Sequence, residues 1–257
     1  MNMNAFPEVL TFKMVAGFEQ LPTGSTHPHH GFIDGVHYVL KCGSYSTTSS
    51  DDHVHNEYVA DCFLRTAGCL VPDSREYRAD IGHGKIETVR LARFLEGGRH
   101  LKPTWLSADA SVRRLLLDQI VATFPIQSFI GGIDTYQHPE LDNVMVDAEN
   151  RLWFIDNGAS FDYRARGPRK YWFWDRADLM GRHGYYSLRY DKRVDISTYD
   201  QSELRALLEG VSDESLRLAA RKYDFPALVK TLPEDYQHPV LIDYAKKLQI
   251  WAKGGVA

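Results

Sequence analysis

The stretch from Phe129 to Phe161 constrains the fold most. It holds two apolar runs of strand length, Val144–Val146 and Leu152–Ile155, separated by Asp147-Ala148-Glu149-Asn150, which is turn chemistry. The pattern predicts a β-hairpin. An antiparallel hairpin brings the start of its first strand beside the end of its second. Asn143 enters the first strand and Asp156 leaves the second, so the two should sit side by side, with Asn157-Gly158 following at once. Hard oxygen ligands placed in this way suit Mg²⁺ carried by a nucleotide phosphate. A further acid, Asp134, lies upstream on a Gly-Gly-Ile-Asp turn, within reach of the same pocket. Taken alone, these letters fit an ordinary hairpin with acidic turn residues equally well.

Upstream, residues 1–95 read as a mostly β region carrying one helix. Leu21–Thr26 is rich in turn formers, and Gly35–Lys41 alternates Val36, Tyr38 and Leu40 against His37, Val39 and Lys41, as a strand does. Small-residue turns can cradle phosphates with backbone N–H groups, and a strand lysine can reach them. Asn56–Gly68 follows with Val59, Cys62, Phe63 and Ala67 at helical spacing and Gly68 as its stop. Glu57 is expected in its first turn, where the helix dipole favours a carboxylate. Thr88–Leu95 alternates apolar and basic residues and should form an edge strand; it runs into Glu96-Gly97-Gly98, a flexible joint.

In their order, these motifs resemble the protein-kinase-like superfamily, in its atypical HipA-like and phosphatidylinositol-kinase-like branch, where the metal-binding segment reads I-D-x-G, here Ile155-Asp156-Asn157-Gly158. The resemblance covers most of residues 20–165. It implies an α+β, two-lobed fold: a small β-rich lobe with one helix over residues 1–95, and a larger, mainly helical lobe over 96–257. ATP and Mg²⁺ are the implied cofactors. By the resemblance, Gly24, Ser25 and Thr26 form the phosphate loop, and Lys41 holds the α and β phosphates. Glu57 pairs with Lys41, and the backbone of Phe94, Leu95 and Glu96 meets the adenine edge. Asn143 and Asp156 bind metal, and Asp134 aligns the acceptor hydroxyl. The interval from Asp134 to Asn143 is longer than the family's usual spacing, so either the loop carries an insertion or the role passes to a neighbour, of which Asp142 is the nearest. The implied activity is transfer of the γ-phosphate to a Ser/Thr hydroxyl of a protein substrate. Two alternatives stand beside it: a small-molecule kinase, and a pseudokinase or nucleotidyl transferase acting as an interaction module.

The remaining letters set bounds. With 257 residues, 44% of them hydrophobic, the chain can bury a substantial core. A net charge of −4 gives no general attraction to nucleic acid or anionic membrane. Arg164–Asp175 does run basic residues into aromatics, which can bind nucleic acid, yet no wider basic surface accompanies it; it reads as substrate-side or structural. No membrane span and no cleaved signal are expected, which suits a cytoplasmic protein or an effector exported without one. Cys42, Cys62 and Cys69 read as reduced thiols. Among 11 histidines, His27, His29 and His30 cluster and His53 and His55 pair; zinc is conceivable, but solvated loop histidines are the simpler reading. Helices are expected over Ser111–Thr123, ended by Pro125, after Asp200–Glu203 with Leu204, Leu207 and Leu208, after Ser212 with Leu216, Ala219 and Ala220, and through Leu241, Tyr244, Leu248 and Trp251.

Overall fold

A computed structural model describes residues 6–22, 26–45, 50–131, 135, 142–161 and 211–255. A short helix α1 (Phe12–Val15) precedes strands β1 (Glu19–Gln20), β2 (His29–Ile33) and β3 (Val36–Cys42); helix α2 (Asp51–Thr66), β4 (Ser74–Ala79) and β5 (Glu87–Arg93) follow. These strands form one antiparallel sheet in the order β1-β2-β3-β5-β4. β2 and β3 join through Asp34-Gly35, whose φ values of 50° and 76° are both left-handed. Two such residues make the tight hairpin loop that matches strand twist, and Asp-Gly is one of its preferred sequences.

Beyond the sheet come β6 (Arg99–His100), α3 (Leu101–Ser107) and α4 (Ala110–Ile130), then β7 (Val144–Val146) and β8 (Leu152–Phe154). The expected hairpin is present: Val144 pairs with Phe154 and Val146 with Leu152, and β6 adds a third strand beside β7. Among the described residues the chain closes with α5 (Asp213–Ala220), α6 (Phe225–Val229) and α7 (Pro239–Ala252). Ser212 caps α5 by accepting from Ser215 N–H at 3.2 Å. The architecture is thus α+β, with an antiparallel sheet and one long helix in the N-terminal part and a helical C-terminal part.

The core divides in two. Tyr38, Leu40, Tyr77, Val89 and Leu91 fill one face of the five-stranded sheet together with Leu10 and Val15. α2 lies on the other side and sends Val59, Phe63 and Leu64 into a second cluster, with Leu116, Ile120 and Phe129 of α4, Val144 and Phe154 of the hairpin, and Phe225, Tyr244 and Leu248 of the closing helices. At about 25 cal/mol per Å² of apolar surface, such burial is what fixes α2 between sheet and helices.

Four expectations are corrected. β5 is an interior strand, flanked by β3 and β4, rather than an edge strand, and Arg90 on it is buried and paired with Asp61 and Glu57. α2 begins at Asp51, capped by Ser50, with Asp51 and Asp52 in its first turn. Glu57 therefore stands past the first turn, where the helix dipole no longer explains it. Pro125 does not end α4, which runs on to Ile130. A proline inside a helix costs about 3 kcal/mol, but Ile126, Phe129 and Ile130 beyond it are fully buried, and their packing offsets that cost. His53 and His55 lie on α2, His53 almost completely buried, and His29 and His30 lie on β2, so these are not solvated loop residues. Gly24, Ser25, Asp134, the 164–175 segment and the helix expected after Asp200–Glu203 lie outside the described residues.

Candidate active site

β3 and β5 set the site. Their antiparallel register places Lys41 directly opposite Arg90, and both side chains point to the face covered by α2. Two like charges so placed repel, and their burial would be untenable without counter-charges. α2 supplies these one turn apart: residues at i and i+4 share a helix face, so Glu57 and Asp61 meet the two cations together. Lys41 Nζ donates to both Glu57 oxygens at 3.0 Å. Arg90 Nε donates to Asp61 Oδ2 at 2.8 Å, and its Nη1 lies 3.2 Å from Glu57 Oε1. The side chains of Lys41, Glu57, Arg90 and Asp61 are at most 7% exposed.

The hairpin brings the last carboxylate. Ile155 N–H donates to the Asn143 carbonyl at 3.0 Å, so Asn143 and Asp156 do sit at the same end of β7 and β8. Lys41 Nζ donates to Asp156 Oδ1 at 2.6 Å. Asp156 adopts φ 52°, ψ 54°, a left-handed conformation uncommon for a side-chain-bearing residue and tolerated best by Asp and Asn. α2 holds the segment that follows. Asn56 Nδ2 donates to the carbonyls of Gly158 (3.0 Å) and Ser160 (2.9 Å), and Asn157 Nδ2 donates to Asp61 Oδ1 at 2.9 Å. Gly158 leaves no room for a side chain: a Cβ there would stand 2.7 Å from His53 Nε2 and 3.4 Å from Glu57 Oε2.

Electrostatics follow from this enclosure. Burial alone would push the Lys41 ammonium down, but the charges of Asp156 and Glu57 outweigh it and hold its pKa above the usual lysine value. Burial would likewise raise Asp156, yet the Lys41 charge and hydrogen bond keep its carboxyl below the usual range. Burial lowers His53, which the neighbouring Glu57 only partly opposes. Two cations thus face three carboxylates, Glu57, Asp61 and Asp156. The surplus negative charge lies toward Asp156, whose side chain remains 33% exposed.

The open side of this cluster is a cleft between the five-stranded sheet and the hairpin. Lys41, Glu57, Asn143 and Asp156 line it, as do Phe94 and Leu95 on the stretch leaving β5. Its apolar walls include Val39, Ala92 and Met145. Of the other expected residues, Glu96 does not line the cleft; its carboxylate lies 2.6 Å from His37 Nδ1. Thr26 is buried, and its hydroxyl lacks a hydrogen-bond partner.

Arg90, Asp61, His53, Asn56 and Asn157 are cluster members not expected from the sequence. Asp61 follows Glu57 at the helical repeat, a signal that was available. Arg90 gave none, because a basic residue alternating with apolar ones reads as solvent-facing.

No protein-family model matches the chain, and no curated protein matches it. Among solved structures the chain is similar to WaaP in complex with acyl carrier protein, at 12% identity and a TM-score of 0.46, covering 92% of each chain. It is also similar to the Helicobacter pylori proinflammatory kinase CtkA, at 11% identity and a TM-score of 0.41, covering 93% of this chain and 90% of that one. At this level of likeness the site has to be read from its own atoms.

Proposed function

We propose that the protein is an ATP- and Mg²⁺-dependent phosphotransferase of protein-kinase-like type. One observation carries this reading: a buried strand lysine, Lys41, held between a helix carboxylate, Glu57, and the hairpin-end carboxylate Asp156, at the wall of a cleft. A merely structural ion pair has no need of the third group or of the cleft.

In this reading the adenine lies between the apolar walls near Val39, Ala92 and Met145, with the backbone of Phe94 and Leu95 at its edge. Lys41 takes the α and β phosphates, and Glu57 fixes the lysine's direction. The surplus negative charge and the exposed side of Asp156 fit a divalent cation, which Asp156 and Asn143 would hold. Held there, a divalent cation would supply positive charge against the charge developing on the transferred group. The acceptor oxygen forms a bond to the γ-phosphorus as the bond from that phosphorus to the β–γ bridging oxygen breaks; the acceptor proton passes to a carboxylate, Asp134 or its rival Asp142. Positioning and charge neutralisation supply most of the catalysis. A Ser/Thr hydroxyl of a protein is the acceptor we favour, a small-molecule hydroxyl the alternative.

The test is incubation of the purified protein with Mg²⁺ and γ-labelled ATP, beside α-labelled ATP, alone and with a cell extract, comparing wild type with Asp156→Asn. Label from the γ position on a protein band, absent in the variant, is the expected result. Label on a small molecule selects the alternative acceptor. Label from the α position alone means nucleotidyl transfer and overturns phosphotransfer, as does ATP binding without any label.

A further inference from the structure

On the face of the sheet away from Lys41, three side chains of metal-ligating type come together. Cys42 ends β3 and stands opposite Val89; Glu87 opens β5 and, being two residues from Val89, is the diagonal neighbour of Cys42 on the same face. His83 comes from the turn between β4 and β5. That turn is ordered by Asp80 Oδ1, which accepts from the backbone N–H groups of Gly82, His83 and Gly84 at 2.9, 3.0 and 3.1 Å. The Cys42 sulfur, a His83 ring nitrogen and a Glu87 carboxylate oxygen all lie within 4.8 Å of one another.

An independent feature indicates that this group is incomplete as ordinary packing. Glu87 is 1% exposed; its Oε2 accepts from Ser44 N–H at 2.9 Å, while its Oε1 has no hydrogen-bond partner. A buried carboxylate oxygen left unsatisfied is costly, and a cation is the group that satisfies it most fully. Cys42 stands beside this carboxylate, and coordination to a divalent cation deprotonates a thiol outright.

We propose that Cys42, His83 and Glu87 bind a zinc-class divalent cation. The ligand set selects the metal: thiolate with imidazole and carboxylate suits Zn²⁺, whereas Mg²⁺ and Ca²⁺ take oxygen ligands alone. Bonds of about 2.0–2.3 Å put tetrahedral zinc ligands roughly 3.3–3.8 Å apart. His83 supplies the small closure required, since it is exposed and lies between Gly82 and Gly84, whose φ values are 107° and 73°. Binding releases the Cys42 proton to solvent and leaves a fourth position for water. Its effect on the fold is to clasp the end of β3, one residue beyond Lys41, to β5 and the 80–84 turn. This site is independent of the phosphotransfer reading.

Co²⁺, as a spectroscopic stand-in for Zn²⁺, tests it in the full-length protein after dialysis against chelator. One equivalent should bind, give a thiolate-to-cobalt charge-transfer absorption and be displaced by Zn²⁺. Cys42→Ser should remove the absorption. His83→Ala, which changes an exposed turn residue and keeps the test alive should the Cys42 variant not fold, should weaken binding by at least roughly tenfold. No charge-transfer band at stoichiometric Co²⁺ overturns the proposal. So does a band unchanged in His83→Ala, or binding lost in His30→Ala instead, which would place the metal on His30 and His37, whose ring nitrogens lie 2.9 Å apart.

Discussion

Lys41 and Arg90 stand directly opposite each other on adjacent strands, both buried, and Glu57 touches both. Removing Glu57 therefore strands two facing cations at once, with Asp61 and Asp156 as the remaining counter-charges. Glu57→Ala should destabilise the protein by about 3 kcal/mol, the usual cost of breaking a buried pair from one side. Glu57→Gln should cost less, because the amide oxygen still accepts from one cation. Urea unfolding of the two variants checks the order; equal losses would show that the charge itself is immaterial.

Asp156 combines a charge with a left-handed backbone, and two substitutions separate them. Asp156→Asn keeps a residue that tolerates φ 52° and removes the charge from Lys41. Asp156→Ala adds backbone strain on the order of 1 kcal/mol. Both should lose Mg²⁺-dependent ATP binding, measured by calorimetry, while only the alanine variant should carry the additional strain. A full-affinity Asn variant would remove Asp156 from the metal.

These contacts also show what sequence patterns can and cannot carry. The Lys41–Glu57 pair was legible through the family resemblance, which the order of local elements carries: a strand lysine, then a helix bearing Glu57 and ended by Gly68. Asn143 beside Asp156 was legible because hairpin geometry dictates it. The reading of Glu57 as a first-turn residue failed because Ser50, Asp51 and Asp52 supply a stronger start farther upstream. β2 went unread although Asp34-Gly35 marks its hairpin, since Gly31 and two histidines dilute its strand character. Thr88–Leu95 was read as an edge strand because local alternation reports the faces of a strand, not what pairs with it or covers it; β4 and the placement of α2 make the Arg90 face an interior.

Gly158 abuts His53 closely enough that Gly158→Ala should force a shift on α2 or on the 156–160 segment. A Cβ 2.7 Å from His53 Nε2 is an overpacking contact, worth roughly 1–3 kcal/mol of lost stability. Combining it with His53→Ala should return much of that loss. Thermal unfolding of the single and double variants gives the coupling, and strictly additive losses would place the strain elsewhere.

His53 should make stability fall on acidification. Its folded pKa is below 6.5, chiefly through burial, with Glu57, Lys41 and Asp156 all facing it. As pH falls below 6.5, the unfolded chain takes up a proton that the folded chain refuses, so the folded state loses ground until the folded pKa is passed. His55 acts oppositely: its hydrogen bond to Glu76 raises its pKa, so its contribution is present at low pH and lost as pH rises. The comparison of wild type with His53→Gln isolates the first effect. Urea unfolding free energies on either side of 6.5 should show a steeper decline in wild type; parallel curves would exclude His53 as the source.

Under the proposed phosphotransfer the acceptor's proton needs a carboxylate, and Asp134 and Asp142 are the two candidates. Asp142 lines the cleft one residue before Asn143, and its carbonyl oxygen lies 3.0 Å from His100 Nδ1. Asp134 takes the position that the family resemblance implies. A residue that only orients the acceptor contributes to transfer without holding the nucleotide, so Asp134→Ala should leave Mg²⁺-ATP affinity intact and lower γ-phosphate transfer by about 10²–10⁴-fold. Asp142→Ala should retain transfer and shift only affinity, through its place beside the metal-side Asn143. Measuring binding and transfer on both variants decides the matter, because the reverse pattern, transfer lost in Asp142→Ala and kept in Asp134→Ala, assigns the proton acceptor to Asp142.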